Sequence, residues 1–145
     1  MLTRLSPEKV SEAWPLVERA VVSSSMALAQ MSDERLNNVL VAIQSGQASC
    51  FVHESENQIT TVVITTLMEE QISKTRNLLI YAAHVFRKLK PETYVEMGKW
   101  IGQYAKGQGC SQIILYCSND RLTEILKSSG ANTVFTLVVF PLVNF

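Results

Sequence analysis

The chain of 145 residues holds only two histidines, three cysteines and six glycines, and each scarcity removes a class of chemistry. Two scattered histidines, His53 and His84, leave no His-Glu-x-x-His zinc helix. An odd set of cysteines with no Cys-x-x-Cys pair argues against both a structural zinc site and a disulfide framework. There is no Gly-x-Ser-x-Gly nucleophile elbow and no Gly-rich phosphate loop ending in Gly-Lys-Ser/Thr. Thirteen basic residues balance thirteen acidic ones, so no global field draws the protein to nucleic acid or to an anionic membrane. No apolar run approaches the roughly 18 residues that a spanning helix needs, and the opening MLTRLSPEKV has no signal-peptide core. Free Cys50, Cys110 and Cys117 fit a reducing compartment, so cytoplasmic residence is the expectation, without nucleic acid or membrane as partner.

What is present is an ordinary globular composition, 47% hydrophobic and 18% charged, without repeats or a Pro/Gly-rich linker. Residues 1–145 are expected to form one domain, large enough to bury roughly 70% of the surface its unfolded form exposes. A short first strand in MLTRL precedes a helix-start signal, Ser6 followed by Pro7. Val10, Trp14, Val17 and Val21 then form one helix face, which Pro15 should kink. A second helix starts at Ser32, turns Leu36, Val39, Leu40 and Ile43 inward, and stops at Gly46, with Met31 and Leu36 spaced as a hydrophobic staple.

The pattern then changes to strands: ASCFVHE and QITTVVITTLMEE, joined by a polar Ser-Glu-Asn turn, and then NLLIYAAHVF. After Pro91, Tyr94, Met97, Ile101 and Tyr104 recur as a helical stripe beside Trp100, ending at Gly107 and Gly109. QIILYC reads as a short buried central strand, RLTEILKSSG as a helix, and NTVFTLVVFPLVNF as a last strand. The order β-α-α-β-β-β-α-β-α-β gives an α/β fold with antiparallel hairpins first and a crossover helix later.

This order, together with the stretch GCSQIILYCSNDRLTEILKSSGA, resembles the GNAT (N-acetyltransferase) superfamily, whose members move an acyl group from coenzyme A to an amine. The family's late motif sets an Asn after the fifth strand, a small residue three later, Leu-Tyr at six and seven, and Gly-Phe at eleven and twelve. Here those positions hold Asn119, Leu122, Ile125, Leu126, Gly130 and Ala131, so the spacing is kept while residue types have changed. The resemblance implies a GNAT-like mixed, mostly antiparallel sheet flanked by helices. It implies acetyl-CoA or coenzyme A as cofactor if the site works, and none otherwise. It carries the cofactor-binding role onto Val85, Arg87, Lys88, Lys90 and Asn119.

The departures from the family are chemical. Its phosphate loop, Gln/Arg-x-x-Gly-x-Gly/Ala, lets backbone N–H groups and a helix N-terminus approach the pyrophosphate. Counted back from Gly109, the glycine positions fall on Glu92 and Tyr94 and the Gln/Arg position on Leu89, within RKLKPETYVEM. Pro91 removes one N–H, and Glu92 and Glu96 add negative charge. At roughly 5 Å and an effective dielectric of about 20, each such carboxylate repels a phosphate charge by about 3 kcal/mol before screening. Arg87, Lys88 and Lys90 offset part of this. Leu126 stands where many members carry the Tyr that protonates the leaving thiolate.

For a general base the candidates are His84 and Glu69, with Glu70 and Tyr81 beside them. A lone His at a strand end is more often packed or exposed, and carboxylates at a strand end usually face solvent. His53, beside the turn, reads as exposed. VVSSSMALAQM between the first two helices is either a connecting turn or, as the resemblance implies, part of an acceptor groove. The apolar C-terminal run should be buried centrally or paired with another chain, giving a protein partner or self-association through the last strand.

Fold does not fix function, and the altered cofactor loop outweighs the scaffold. The expectation is a degenerate GNAT-fold protein acting as a binding or assembly module. The resemblance adds bacteriophage proteins as its kind, hence virion association if phage-encoded. The alternative is an active acyl-CoA-dependent N-acyltransferase acting on an amine.

Overall fold

The computed structural model describes residues 2–24, 26, 30–117, 123–124, 127, 130–131 and 138–144. Ser6 caps the first helix by accepting the Lys9 N–H, and Pro7 takes the first helical position. Helix α1 (Pro7–Glu12) breaks at Ala13 and resumes as α2 (Trp14–Ser23), with Pro15 in its first turn. The expected kink is thus a full break: proline cannot donate within a continuing ladder but fits a new helix start. Helix α3 (Asp33–Gln44) begins at Ser32, whose hydroxyl accepts the Arg35 N–H, and ends before Gly46, at φ +83°.

The sheet has five strands in the order β1 (Thr3–Arg4), β2 (Ala48–Ser55), β3 (Gln58–Glu70), β4 (Thr75–Val85) and β5 (Gln112–Leu115). All neighbours are antiparallel except β4 and β5, which run parallel and are joined by the crossover helix α4 (Pro91–Gly107). Glu56 and Asn57, at φ 55° and 62°, make the tight β2–β3 turn, because a two-residue hairpin with both centres left-handed matches the twist of its strands.

Alternation along the strands divides the core in two. Cys50, Val52, Val62, Ile64 and Ala82 pack with Val10, Val17, Val21, Leu36 and Ile43 on the α1–α3 face. Met31, Val39 and Leu40 pack against this cluster, as the periodicity of α3 implied. Phe51, Val63 and Leu78 pack with Met97, Ile101 and Ala105 on the α4 face. There Phe51 meets Trp100 and Tyr104 edge-on, each at 5.0 Å between ring centres, so Trp100 is a packing residue.

Two expectations change. The QIILYC strand is less buried than expected: Gln112 and Ile113 are exposed, Ile114 and Leu115 are half-buried, and among the described residues β5 has a sheet partner on one side only. In the C-terminal run, Val138, Val139, Phe140, Leu142 and Val143 are exposed, so of the two alternatives central burial does not hold for these residues, and Leu142–Asn144 is a 3-10 turn. The rest of that expected strand, 132–137, lies outside the described residues, and of the preceding helix Thr123, Glu124 and Lys127 are helical and Gly130 is in a turn, the others lying outside the described residues.

Candidate functional site

Strands β4 and β5 pair only from Asn77 with Gln112 to Ile80 with Leu115. Beyond that point β4 runs on from Tyr81 to Val85, paired on its other side with β3 from Ile64 to Thr61. Among the described residues the β4–β5 ladder therefore ends at Ile80, which leaves a fork in the sheet there. A β-bulge sits at the fork: Ile80 opposes Thr65 and Ala82 opposes Ile64, leaving Tyr81 as the extra residue. Tyr81 and Ala82 consequently both pack on the α1–α3 face, while Ile80 and Ala83 lie on the α4 face.

At a fork, backbone N–H groups on the freed edge lack a ladder partner and must find another acceptor. Here Ala83 N–H donates to the Ser24 hydroxyl at 3.2 Å. The same oxygen accepts the N–H of Met26, also at 3.2 Å. The segment after α2 is thereby tied onto the exposed edge of β4.

The β4–α4 loop is closed in a similar way. Phe86 N–H donates to Thr60 C=O at 2.8 Å, and Thr93 N–H returns to Lys90 C=O at 3.0 Å. Leu89 N–H donates to the Tyr94 phenol oxygen at 3.4 Å. Arg87 turns back toward the β2–β3 hairpin, donating to Ser55 C=O at 3.3 Å and lying 4.0 Å from the Glu56 carboxylate. Lys88 and Lys90 are exposed, and Lys90 caps α4 with its backbone alone.

His84 lies half-buried near the end of β4, its ring 4.9 Å from that of Phe86, over which the Arg19 guanidinium sits at 5.2 Å. Burial holds its pKa below the ordinary 6.5, and the positive charge of Arg19 pushes the same way. Val85 pairs with Thr61 at the strand's end.

Glu69 lies elsewhere. It pairs with Arg76 in the β3–β4 ladder and binds its guanidinium at 2.9 Å. Arg76 and His84 are separated by roughly 25 Å of strand at about 3.3 Å per residue, so the fold does not bring Glu69 and His84 together. Glu70 accepts the N–H groups of Ser73 at 2.7 Å and Ile72 at 3.0 Å in the same distant turn. These bonds to Ser73 and Ile72 hold its pKa below the usual carboxylate value. Asn119 lies outside the described residues.

His53 is half-buried and bonds the Thr60 hydroxyl at 2.7 Å, a departure from its expected exposure. Thr60 is the extra residue of a second bulge, between Thr61 opposite His53 and Ile59 opposite Glu54. Burial pushes the Cys50 thiol up to about 12, which makes it an inert packing group. Sequence reasoning did not find Ser24 or Tyr94 as partners of the fork and loop, since neither stands in a motif.

No protein-family model matches the chain, and no curated protein matches it in sequence. Solved structures do match in shape. A ribosomal-protein-alanine N-acetyltransferase from Brucella melitensis biovar Abortus 2308 aligns over 97% of this chain and 99% of its own, at 12% identity and a TM-score of 0.70. The fold is that of the GNAT-type acetyltransferases. A predicted acetyltransferase from Clostridium acetobutylicum, solved with acetyl-CoA, aligns over 100% of this chain and 97% of its own at 12% identity and a TM-score of 0.72. An aminoglycoside acetyltransferase from an uncultured soil metagenomic sample, in complex with sisomicin, aligns over 97% and 93% at 16% identity and a TM-score of 0.71. Among the described residues no helix is long and apolar enough to cross a membrane.

Proposed function

We propose that this protein is a GNAT-fold binding module that does not transfer acyl groups, because its own side chains occupy the places where a donor would bind. The observation that carries this reading is the pair of internal bonds, Ala83 N–H to Ser24 in the fork and Leu89 N–H to Tyr94 in the loop. A thioester carbonyl in the fork and a pyrophosphate at the α4 N-terminus both require free N–H donors. In this chain those two are engaged, and Pro91 has none to give. Glu92 in the first turn adds charge of the wrong sign for a phosphate. On this reading the residues present do not fit coenzyme A.

A role in assembly, with a protein partner or a second copy as the bound species, is supported by the exposed apolar residues between Val138 and Val143. Cytoplasmic residence, or virion association if the protein is phage-encoded, belongs to the same reading. One observation favours the second reading, an active N-acyltransferase: the fork and the Tyr81 bulge keep the geometry that a donor slot needs. Under that reading His84, neutral at physiological pH, is the candidate base.

Thermal-shift titration with acetyl-CoA separates the two. A ligand at 100 times its dissociation constant adds about 2.7 kcal/mol, roughly 5 to 15 °C in Tm for a domain of this size. The module reading expects no saturable rise at millimolar cofactor. A rise followed by acetyl transfer to an amine would restore catalysis.

A further inference from the structure

A cavity of about 360 Å³ opens between α3 and the sheet, on the α1–α3 face beside the Tyr81 bulge. That volume equals on the order of ten liquid waters, or one ligand of about a dozen non-hydrogen atoms, and lies in the range of small-molecule sites. Arg35, Asn38, Val39 and Ala42 face it from successive turns of α3. Ile64, Ala48 and Met31 add apolar wall, Gln47 and Thr66 add neutral polar groups, and Tyr81 lines it at the fork.

Its polar groups are not neutral in sum. Arg35 is the one charged residue in the lining among the described residues. One nitrogen of its guanidinium, Nη1, donates to Gln30 C=O at 2.6 Å. That bond anchors the side chain at the rim and leaves the other edge of the planar group for a second acceptor. Arg35 is close enough to Tyr81 for its charge to act on the phenol, which burial pushes above its ordinary pKa and so keeps a proton donor. A cation anchored at the rim, a phenolic O–H, the amides of Asn38 and Gln47 and the Thr66 hydroxyl thus border an apolar cavity with no acidic group in its described lining.

We propose that this cavity binds a small organic carboxylate with an apolar body, the carboxylate meeting Arg35 and Tyr81 and the body lying against Met31, Val39, Ala42 and Ile64. An amine is disfavoured at the same place, since it would face a guanidinium without a counter-charge. The proposal goes beyond the module reading and does not depend on it. Acetyl-CoA binding would overturn that reading without deciding whether this cavity takes a carboxylate.

The test uses the full chain and 3-phenylpropionate as probe, with 3-phenylpropylamine and 3-phenylpropanol as matched cation and neutral controls, followed by titration calorimetry. The expected result is saturable binding of the carboxylate, at least fivefold tighter than the alcohol, with no saturation by the amine. Arg35→Gln should weaken the carboxylate by about tenfold and Tyr81→Phe by about threefold, while Arg35→Lys recovers part of the loss. Arg35 is exposed, so its replacement leaves the fold intact to be measured. Absence of saturation by 10 mM carboxylate, equal binding of the amine, or an Arg35→Gln protein with unchanged affinity would each overturn the proposal.

Discussion

The Ser24 hydroxyl receives the Ala83 N–H at 3.2 Å, bridging the segment after α2 to the edge of β4 that β5 has left. Ser24→Ala removes this acceptor and that of Met26 together. The expected cost is about 1 to 3 kcal/mol for the two bonds, at about 0.5 to 1.5 kcal/mol each. Hydrogen exchange at the Ala83 amide should accelerate several-fold relative to amides in the middle of β3. Unchanged exchange at Ala83 would mean that the bond does not protect the fork.

Tyr94 plays the matching part in the loop, with its ring partly exposed and its oxygen 3.4 Å from Leu89 N. At that length the bond is weak, so Tyr94→Phe should cost no more than about 0.5 kcal/mol. Its signature is local: faster exchange at Leu89 with the rest of α4 unaltered.

His84 sets a pH dependence whose sign follows from its environment. Its folded pKa lies below 6.5 through burial and then Arg19, so as pH falls the unfolded chain takes up the proton first. Stability from this group is therefore fully present above about 6.5 and falls as pH drops toward the folded pKa. His84→Gln should flatten the Tm profile between pH 7.5 and 5. Glu70 also has a lowered pKa, but it titrates below that window. A Tm profile identical in the variant would remove His84 as the titrating group.

Phe51 is 1% exposed and joins the sheet to α4 through Trp100 and Tyr104. Phe51→Ala should cost about 3 to 5 kcal/mol by denaturant unfolding. A loss below 1 kcal/mol would show that the aromatic cluster is not the anchor of α4.

The elements that could be read from the sequence are those with a local cause. Ser6-Pro7, Ser32 and Gly46 mark helix ends because capping is a matter of neighbouring residues, and Val10, Val17 and Val21 mark a face because helical period is local. The order of strands and the crossover followed from chain economy. The bulge at Tyr81 could not be read, since it depends on the register between β3 and β4, and neither strand's composition encodes a one-residue offset. The same holds for Ser24 and Ala83, which lie 59 residues apart and meet only through the tertiary fold. Glu69 and His84 share strand-end character in sequence, yet the length of β4 sets them at opposite ends. Of the final apolar run, the described residues 138–144 hold no strand although their composition favours one, since propensity counts residues without knowing whether a partner lies alongside.

The most direct measurement of the central claim is an amide-resolved NMR titration of the protein with acetyl-CoA to millimolar concentration, following Ala83 and Leu89. If Ser24 and Tyr94 keep those donors, neither amide moves with a saturable dependence on cofactor. Saturable shifts at both, with a common dissociation constant, would contradict the account and identify the fork as a working donor slot.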